Sequence, residues 1–95
     1  MSTVAAYTHV NEREHIAIPD PRPGSYYVSA IDGDRHTFLL GPYATHAEAL
    51  AHVADGRRLA LWVDSKAHWY AYGTARATDY SKPGVLNDLL EGEAT

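Results

Sequence analysis

Histidine is the residue type whose chemistry the sequence offers most often, with six copies among 95 residues. Metal-binding helices place two histidine ligands four residues apart so that both lie on one face. His46 and His52 are six positions apart, which places them on different faces of a helix. The sequence therefore predicts no metal site and no cofactor, and it indicates scattered, solvated histidines. The full set is His9, His15, His36, His46, His52 and His68.

Other catalytic patterns are equally weak. Cysteine is absent, which excludes a thiolate nucleophile and a disulfide framework. No serine lies in a Gly-x-Ser-x-Gly turn. The carboxylates fall at turns, caps or helix surfaces, as Asp32 and Glu48 do, where a structural role accounts for them. We therefore expect a protein that is not an enzyme.

Charge and hydropathy limit the classes of partner. The formal net charge is −4, and Arg57-Arg58 is the one adjacent basic pair, whereas nucleic-acid binders usually carry a basic patch. No apolar run approaches the ~20 residues of a membrane span, and the first residues lack the apolar core of a signal peptide. Nucleic acid is thus an unfavoured partner, and no membrane is expected.

The elements that position these residues begin with a β-hairpin. The segment "YYVSAID", residues 26–32, alternates two faces and is rich in β-formers. Asp32-Gly33 is a strong turn signal, and "HTFLLG" returns as the partner strand, which we expect to end at Gly41-Pro42.

A helix is predicted after this hairpin. Thr45 and Glu48 have the capping-box spacing, so the helix should begin near His46 and continue to about Val63, with a weak point at Gly56. The loop before it could hold an anion or simply connect strand to helix. Pro42 donates no amide and only one glycine is present, so we expect a connector. The predicted apolar stripe is Leu50, Val53, Ala54, Ala60 and Leu61.

A third strand, residues 67–77, completes an α+β fold. We expect a small, mainly antiparallel sheet of three or four strands in a β-β-α-β core, with one main helix packed on one face. Residues 1–24 are predicted to be an N-terminal arm or edge strand with a proline-rich connector, and 25–77 the core. Residues 78–95 should form a tail with a short helical turn that docks Val85, Leu86 and Leu89.

Aromatic side chains are the best binding candidates. If the helix covers the face of Val28 and Ala30, then Tyr27, Tyr70 and Tyr72 share the opposite face, where a protein partner, a homodimer through the sheet, or stacked nucleotide bases would meet them. The alternative is that the tail covers these tyrosines. Arg57 and Arg58 are further candidates for partner binding, and the alternative is that they cover the apolar stripe and pair with carboxylates.

Five segments resemble a family of small proteins encoded by bacteriophages, prophages and mobile elements. They lie within residues 26–87: Tyr26-Tyr27-Val28-Ser29, Leu40-Gly41-Pro42-Tyr43, Glu48-Ala49-Leu50, Tyr70-Ala71-Tyr72-Gly73-Thr74-Ala75-Arg76 and Pro83-Gly84-Val85-Leu86-Asn87. The resemblance implies an accessory role in the cytoplasm of a bacterial host. It makes an inhibitor of a host defence complex, similar to an anti-CRISPR protein, a plausible function. The first alternative is a nucleic-acid-binding accessory module, and a further one is a metabolic enzyme too minimal to recognise.

A second, partial resemblance covers about 25 residues, made up of the strand, "LLGPYATHAEAL" at residues 39–50, and the helix. It looks like the Gly-Pro-aromatic and Glu-Ala helix of the peptidoglycan-binding sporulation-related (SPOR) repeat. The second internal repeat, the signal and the membrane anchor of that family have no counterpart in this sequence. Glycan binding is therefore not expected.

Overall fold

A computed structural model describes residues 9–11 and 19–94 and shows an antiparallel sheet with helices packed on one face. The predicted α+β fold, with a sheet of three or four strands, is confirmed. Most of the N-terminal arm, residues 1–8 and 12–18, lies outside the described residues. The elements are β1 (His9–Asn11), β2 (Ser25–Asp32), β3 (Arg35–Tyr43), α1 (His46–Ala51), α2 (Val53–Val63), a 3₁₀ helix (Ser65–Trp69), β4 (Ala71–Ala77) and α3 (Asn87–Ala94). The strand order in the sheet is β1-β4-β2-β3.

The hairpin of β2 and β3 forms as predicted. Asp32 pairs with Arg35, and Gly33 adopts a left-handed φ of 64° at the first turn position, where type II′ hairpins place glycine. The expectation that Gly41-Pro42 ends the strand is wrong. Pairing continues to Tyr43, which lies opposite Tyr26. Gly41 takes a φ of 126°, in a place where a Cβ would lie 2.8 Å from the Tyr26 carbonyl oxygen, so glycine is required there.

The helix begins at His46, and both halves of the predicted capping box are present. The Glu48 amide donates to Thr45 Oγ1 at 3.2 Å, and the Thr45 amide donates to Glu48 Oε1 at 3.2 Å. The helical segment ends at Val63, as predicted, but it is interrupted at His52 rather than at Gly56. Gly56 is buried against β2, where a Cβ would lie 2.6 Å from Val28 Cγ1, so it permits close helix–sheet packing.

Strand β4 is shorter than predicted, and its side chains point to the opposite sides of the sheet from those predicted. Residues 65–69 form the 3₁₀ helix instead, because the Asp64 carboxylate accepts a hydrogen bond from the Lys66 amide at 2.9 Å and caps it. Within the sheet, Tyr72 pairs with Ala30 and Ala75 pairs with Tyr27. Directly paired residues point to the same side of a sheet. Tyr72 therefore lies on the helix side and Tyr27 on the reverse side.

The C-terminal segment is hydrogen-bonded to the backbone of β3 before it becomes helical. The amides of Gly84, Val85 and Leu86 donate to carbonyl oxygens of β3 at 2.8–3.0 Å. Leu86 is buried and Leu89 packs against the core, as predicted, whereas the expected docking of Val85 is wrong because its side chain is 67% exposed. Helix α3 then runs for eight residues.

Candidate binding surface

The three candidate tyrosines do not form a common surface, so the prediction that Tyr27, Tyr70 and Tyr72 share an open face is wrong. Tyr27 is fully buried on the reverse side of the sheet, stacked on Phe38 with ring centroids 4.4 Å apart. Its hydroxyl donates to the Lys82 carbonyl oxygen at 2.7 Å, and Tyr80 meets its ring edge-on. Burial raises the pKa of Tyr27 to about 12. The alternative that the tail covers this ring is confirmed.

Tyr72 and Tyr70 lie in different environments: Tyr72 is buried in the core and Tyr70 is half-buried. Tyr72 belongs to the main core, and its hydroxyl donates to the Ala67 carbonyl oxygen at 2.6 Å. Tyr70 is half-buried, and its hydroxyl donates to Asp64 Oδ2 at 2.8 Å. Of the three rings, only that of Tyr70 therefore reaches a surface cleft.

The two arginines also separate. Arg58 lies between α2 and α3, where its guanidinium contacts Asp55 at 3.0 Å and Glu93 at 2.6 Å. These two carboxylates raise the pKa of Arg58 above its usual range. Arg57 is exposed and takes part in none of the ion pairs found among residues 9–11 and 19–94. Arg58 thus pairs with carboxylates, as the alternative expected. Its role in partner binding stays a prediction, together with that of Arg57.

One histidine is not solvated, contrary to expectation. His46 is 8% exposed, and its ring stacks on Tyr26 with centroids 5.3 Å apart. The Asp20 amide donates to His46 Nδ1 at 2.7 Å, so Nε2 carries the proton of the neutral ring and donates to Thr74 Oγ1 at 2.9 Å. The ring therefore attaches the connector before β2 to the sheet. Within the described ranges, no three His, Asp or Glu side chains come together as metal ligands.

A cleft of about 200 Å³ opens where the end of α2 faces the hairpin turn and the C-terminal segment. Its floor consists of buried apolar side chains from the sheet, α2 and the C-terminal segment. We call the two apolar residues at its mouth, Val63 and Val85, the cleft rim; they are 57% and 67% exposed. The lining residues are Ala30, Asp32, Arg35, Thr37, Leu39, Ala60, Val63, Asp64, Tyr70, Val85 and Leu86.

Three charged side chains, Asp32, Arg35 and Asp64, line the same cleft as Tyr70. The hydrogen bonds from the Lys66 amide and from Tyr70 lower the pKa of Asp64, so its carboxylate is ionised. The bond to Asp64 raises the pKa of Tyr70; the charge of Asp32 acts in the same direction, and that of Arg35 opposes it. The cleft therefore combines an apolar floor with two carboxylates and one guanidinium.

The exposure of two tryptophan side chains at the surface was not predicted from the sequence. Trp62 is 71% exposed beside Val63 at the end of α2, and Trp69 is 84% exposed at the end of the 3₁₀ helix. Trp62 and Val63 follow the predicted apolar stripe of the helix, and at 100° per residue neither continues it. That departure from the stripe was the signal that could have identified this surface.

The chain was compared with known protein families, curated proteins and solved structures. No protein-family model, no curated protein and no solved structure matches the chain. Across residues 9–11 and 19–94, none of the helices is long and apolar enough to cross a membrane.

Proposed function

We propose that this chain is a non-enzymatic module that binds a protein partner through the cleft rim. The observation that supports it is the exposure of Val63 and Val85, each by more than half of its surface, at the mouth of an apolar cleft. Exposed apolar patches on small domains commonly mark interaction sites, because burying them against a partner removes apolar surface from water.

The polar groups of the cleft favour binding over catalysis. A general base works best with a pKa near neutrality, and the pKa of Asp64 is shifted downward, away from that range. The pKa of Tyr70 is shifted upward, which keeps its hydroxyl protonated and engaged with Asp64. Both groups are suited to fixing the cleft in shape and poorly suited to moving protons.

The resemblance to phage and mobile-element proteins supports a partner in the cytoplasm of a bacterial host. A domain of this size inhibits a larger machine most simply by occupying one of its contact surfaces, as an inhibitor of a host defence complex does. The alternatives that used the reverse face, a homodimer through the sheet or stacked nucleotide bases, lose the surface on which they depended. Tyr27, Ser29 and Ala75 on that face are at most 1% exposed.

The test is capture of a partner from host cells by the full chain and by two variants. In the first variant, Val63→Ser and Val85→Ser are combined, which removes the apolar rim while keeping the core intact. The control is Trp69→Ser, which removes a larger exposed apolar side chain that does not line the cleft. We expect the rim variant to lose the partner and the control to retain it, with both melting near the parent temperature. Loss by the control alone, or by neither variant, contradicts the proposal.

A further inference from the structure

We propose that the cleft binds a lysine or arginine side chain of the partner, with the aliphatic stem on the apolar floor and the cationic group beside Asp32 and Asp64. This inference rests on the proposed function, because it names what the same cleft recognises. It follows from the shape and the charges of the lining.

The cleft has the size and surface for one long side chain. Its volume is about 200 Å³, and an apolar cavity of about 150 Å³ is already sufficient to hold a benzene molecule. The buried side chains of Leu39, Ala60 and Leu86 belong to the apolar floor, which suits a methylene stem. Lysine and arginine bury such stems on apolar surface while their charged groups stay near water.

The charges at the mouth favour a cation. The Asp64 carboxylate offers about four acceptor positions, and the Lys66 amide and the Tyr70 hydroxyl occupy two of them. Asp32 is exposed at the end of β2 and adds a second negative charge. In the described part of the chain, Arg35 is the one cation of the lining, so the cleft is net negative in a chain of formal net charge −4. An anionic ligand is disfavoured by the same arrangement, and a second copy of this acidic chain is disfavoured by mutual repulsion.

The experiment selects randomised short peptides on the intact, immobilised chain and then measures the binding of the selected peptides. We expect lysine or arginine to be enriched next to aliphatic residues. Replacing that cation in the best peptide by glutamate should weaken binding at least tenfold. Amide chemical shifts should change at Val63, Tyr70 and Val85. Peptides without a basic residue, shift changes confined to other positions, or no selected peptide at all would overturn the inference.

Two variants with the same change in charge identify the carboxylate. Asp32→Asn lies in the cleft lining, and Asp79→Asn removes an exposed carboxylate outside it. We expect Asp32→Asn to weaken the basic peptide roughly twofold to fivefold, as for a partly exposed ion pair, and Asp79→Asn to leave it unchanged. Equal effects of the two substitutions refute the inference, as does concentration-dependent dimerisation that seals the cleft. If rim variants lose the cellular partner while the charge variants do not, the proposed function stands and this inference fails.

Discussion

Replacement of Gly56 by alanine should destabilise this protein, although alanine is the better helix former. Gly56 lies inside α2, where alanine is ordinarily favoured over glycine by about 1 kcal/mol. The added Cβ would lie only 2.6 Å from Val28 Cγ1. Val28 is fully buried and β-branched, so its side chain has little freedom to move away. Close packing at this one contact therefore opposes helix propensity.

The magnitude follows from the two opposing contributions. Overpacking of a core costs about 1–3 kcal/mol, and a contact this short belongs to the upper half of that range. After the gain of about 1 kcal/mol in helix propensity, we expect Gly56→Ala to lower the free energy of unfolding by about 1–2 kcal/mol. For a domain of this length the melting temperature should fall by roughly 4–16 °C.

Denaturant and thermal unfolding of Gly56→Ala and three further variants test this expectation. Gly92→Ala is the matched control in α3, because a Cβ there meets nothing within 4 Å, and it should stabilise by up to about 1 kcal/mol. Val28→Ala alone should destabilise, but adding Gly56→Ala to it should be neutral or stabilising, which corresponds to a coupling of about 1–3 kcal/mol between the two substitutions. A rise in stability for Gly56→Ala in the parent chain, equal to that of Gly92→Ala, would refute this packing argument.

Three further predictions concern side chains that hold the fold together. His46→Phe keeps a ring beside Tyr26 but removes two hydrogen bonds, so it should lower the free energy of unfolding by about 1–3 kcal/mol. The control His68→Phe, at an exposed position where Phe keeps the edge-on ring contact with Trp69, should stay within about 0.5 kcal/mol of the parent in the same denaturation assay. The raised pKa of Tyr27 means that the fold favours the protonated phenol. The contribution of Tyr27 to the free energy of unfolding is therefore fully present below the unfolded pKa of about 10, and it should decline as the pH rises toward 12. Unfolding curves measured in that pH window will detect the decline. Tyr27→Phe should make the decline less steep, and an unchanged slope would count against this prediction. Arg58→Gln removes the ion pairs with Asp55 and Glu93, so amide hydrogen exchange in α3 should be faster than in the parent at low salt. At high salt the difference should be small, because salt already screens these ion pairs in the parent.

Local features of the fold were predictable because they depend on adjacent residues. Asp32-Gly33 specified the hairpin turn, and Thr45 with Glu48 specified the start of the helix. The buried positions of α2 were harder, because the predicted stripe included the exposed Ala54 and omitted the fully buried Leu59. Such errors arise where several small apolar residues fit more than one helical stripe.

Non-local features were not predictable from the pattern alone. Alternation along β4 separated its residues into two faces, but only the pairing of Tyr72 with Ala30 decides which face meets the helices. The burial of His46 depends on the Asp20 amide, 26 positions away. The cleft forms only when the hairpin, the end of α2 and the C-terminal segment come together. No single segment of the sequence contains that information.

Contact between the cleft rim and a partner is tested most directly by photo-crosslinking in the cell where the chain naturally occurs. A benzophenone amino acid replaces Val85 at the rim, and in a separate chain it replaces Ala44, which is exposed and does not line the cleft. We predict one discrete adduct with a protein from the position of Val85 and none from the position of Ala44. Absence of an adduct at position 85, or the same adduct from both positions, would contradict binding through this surface.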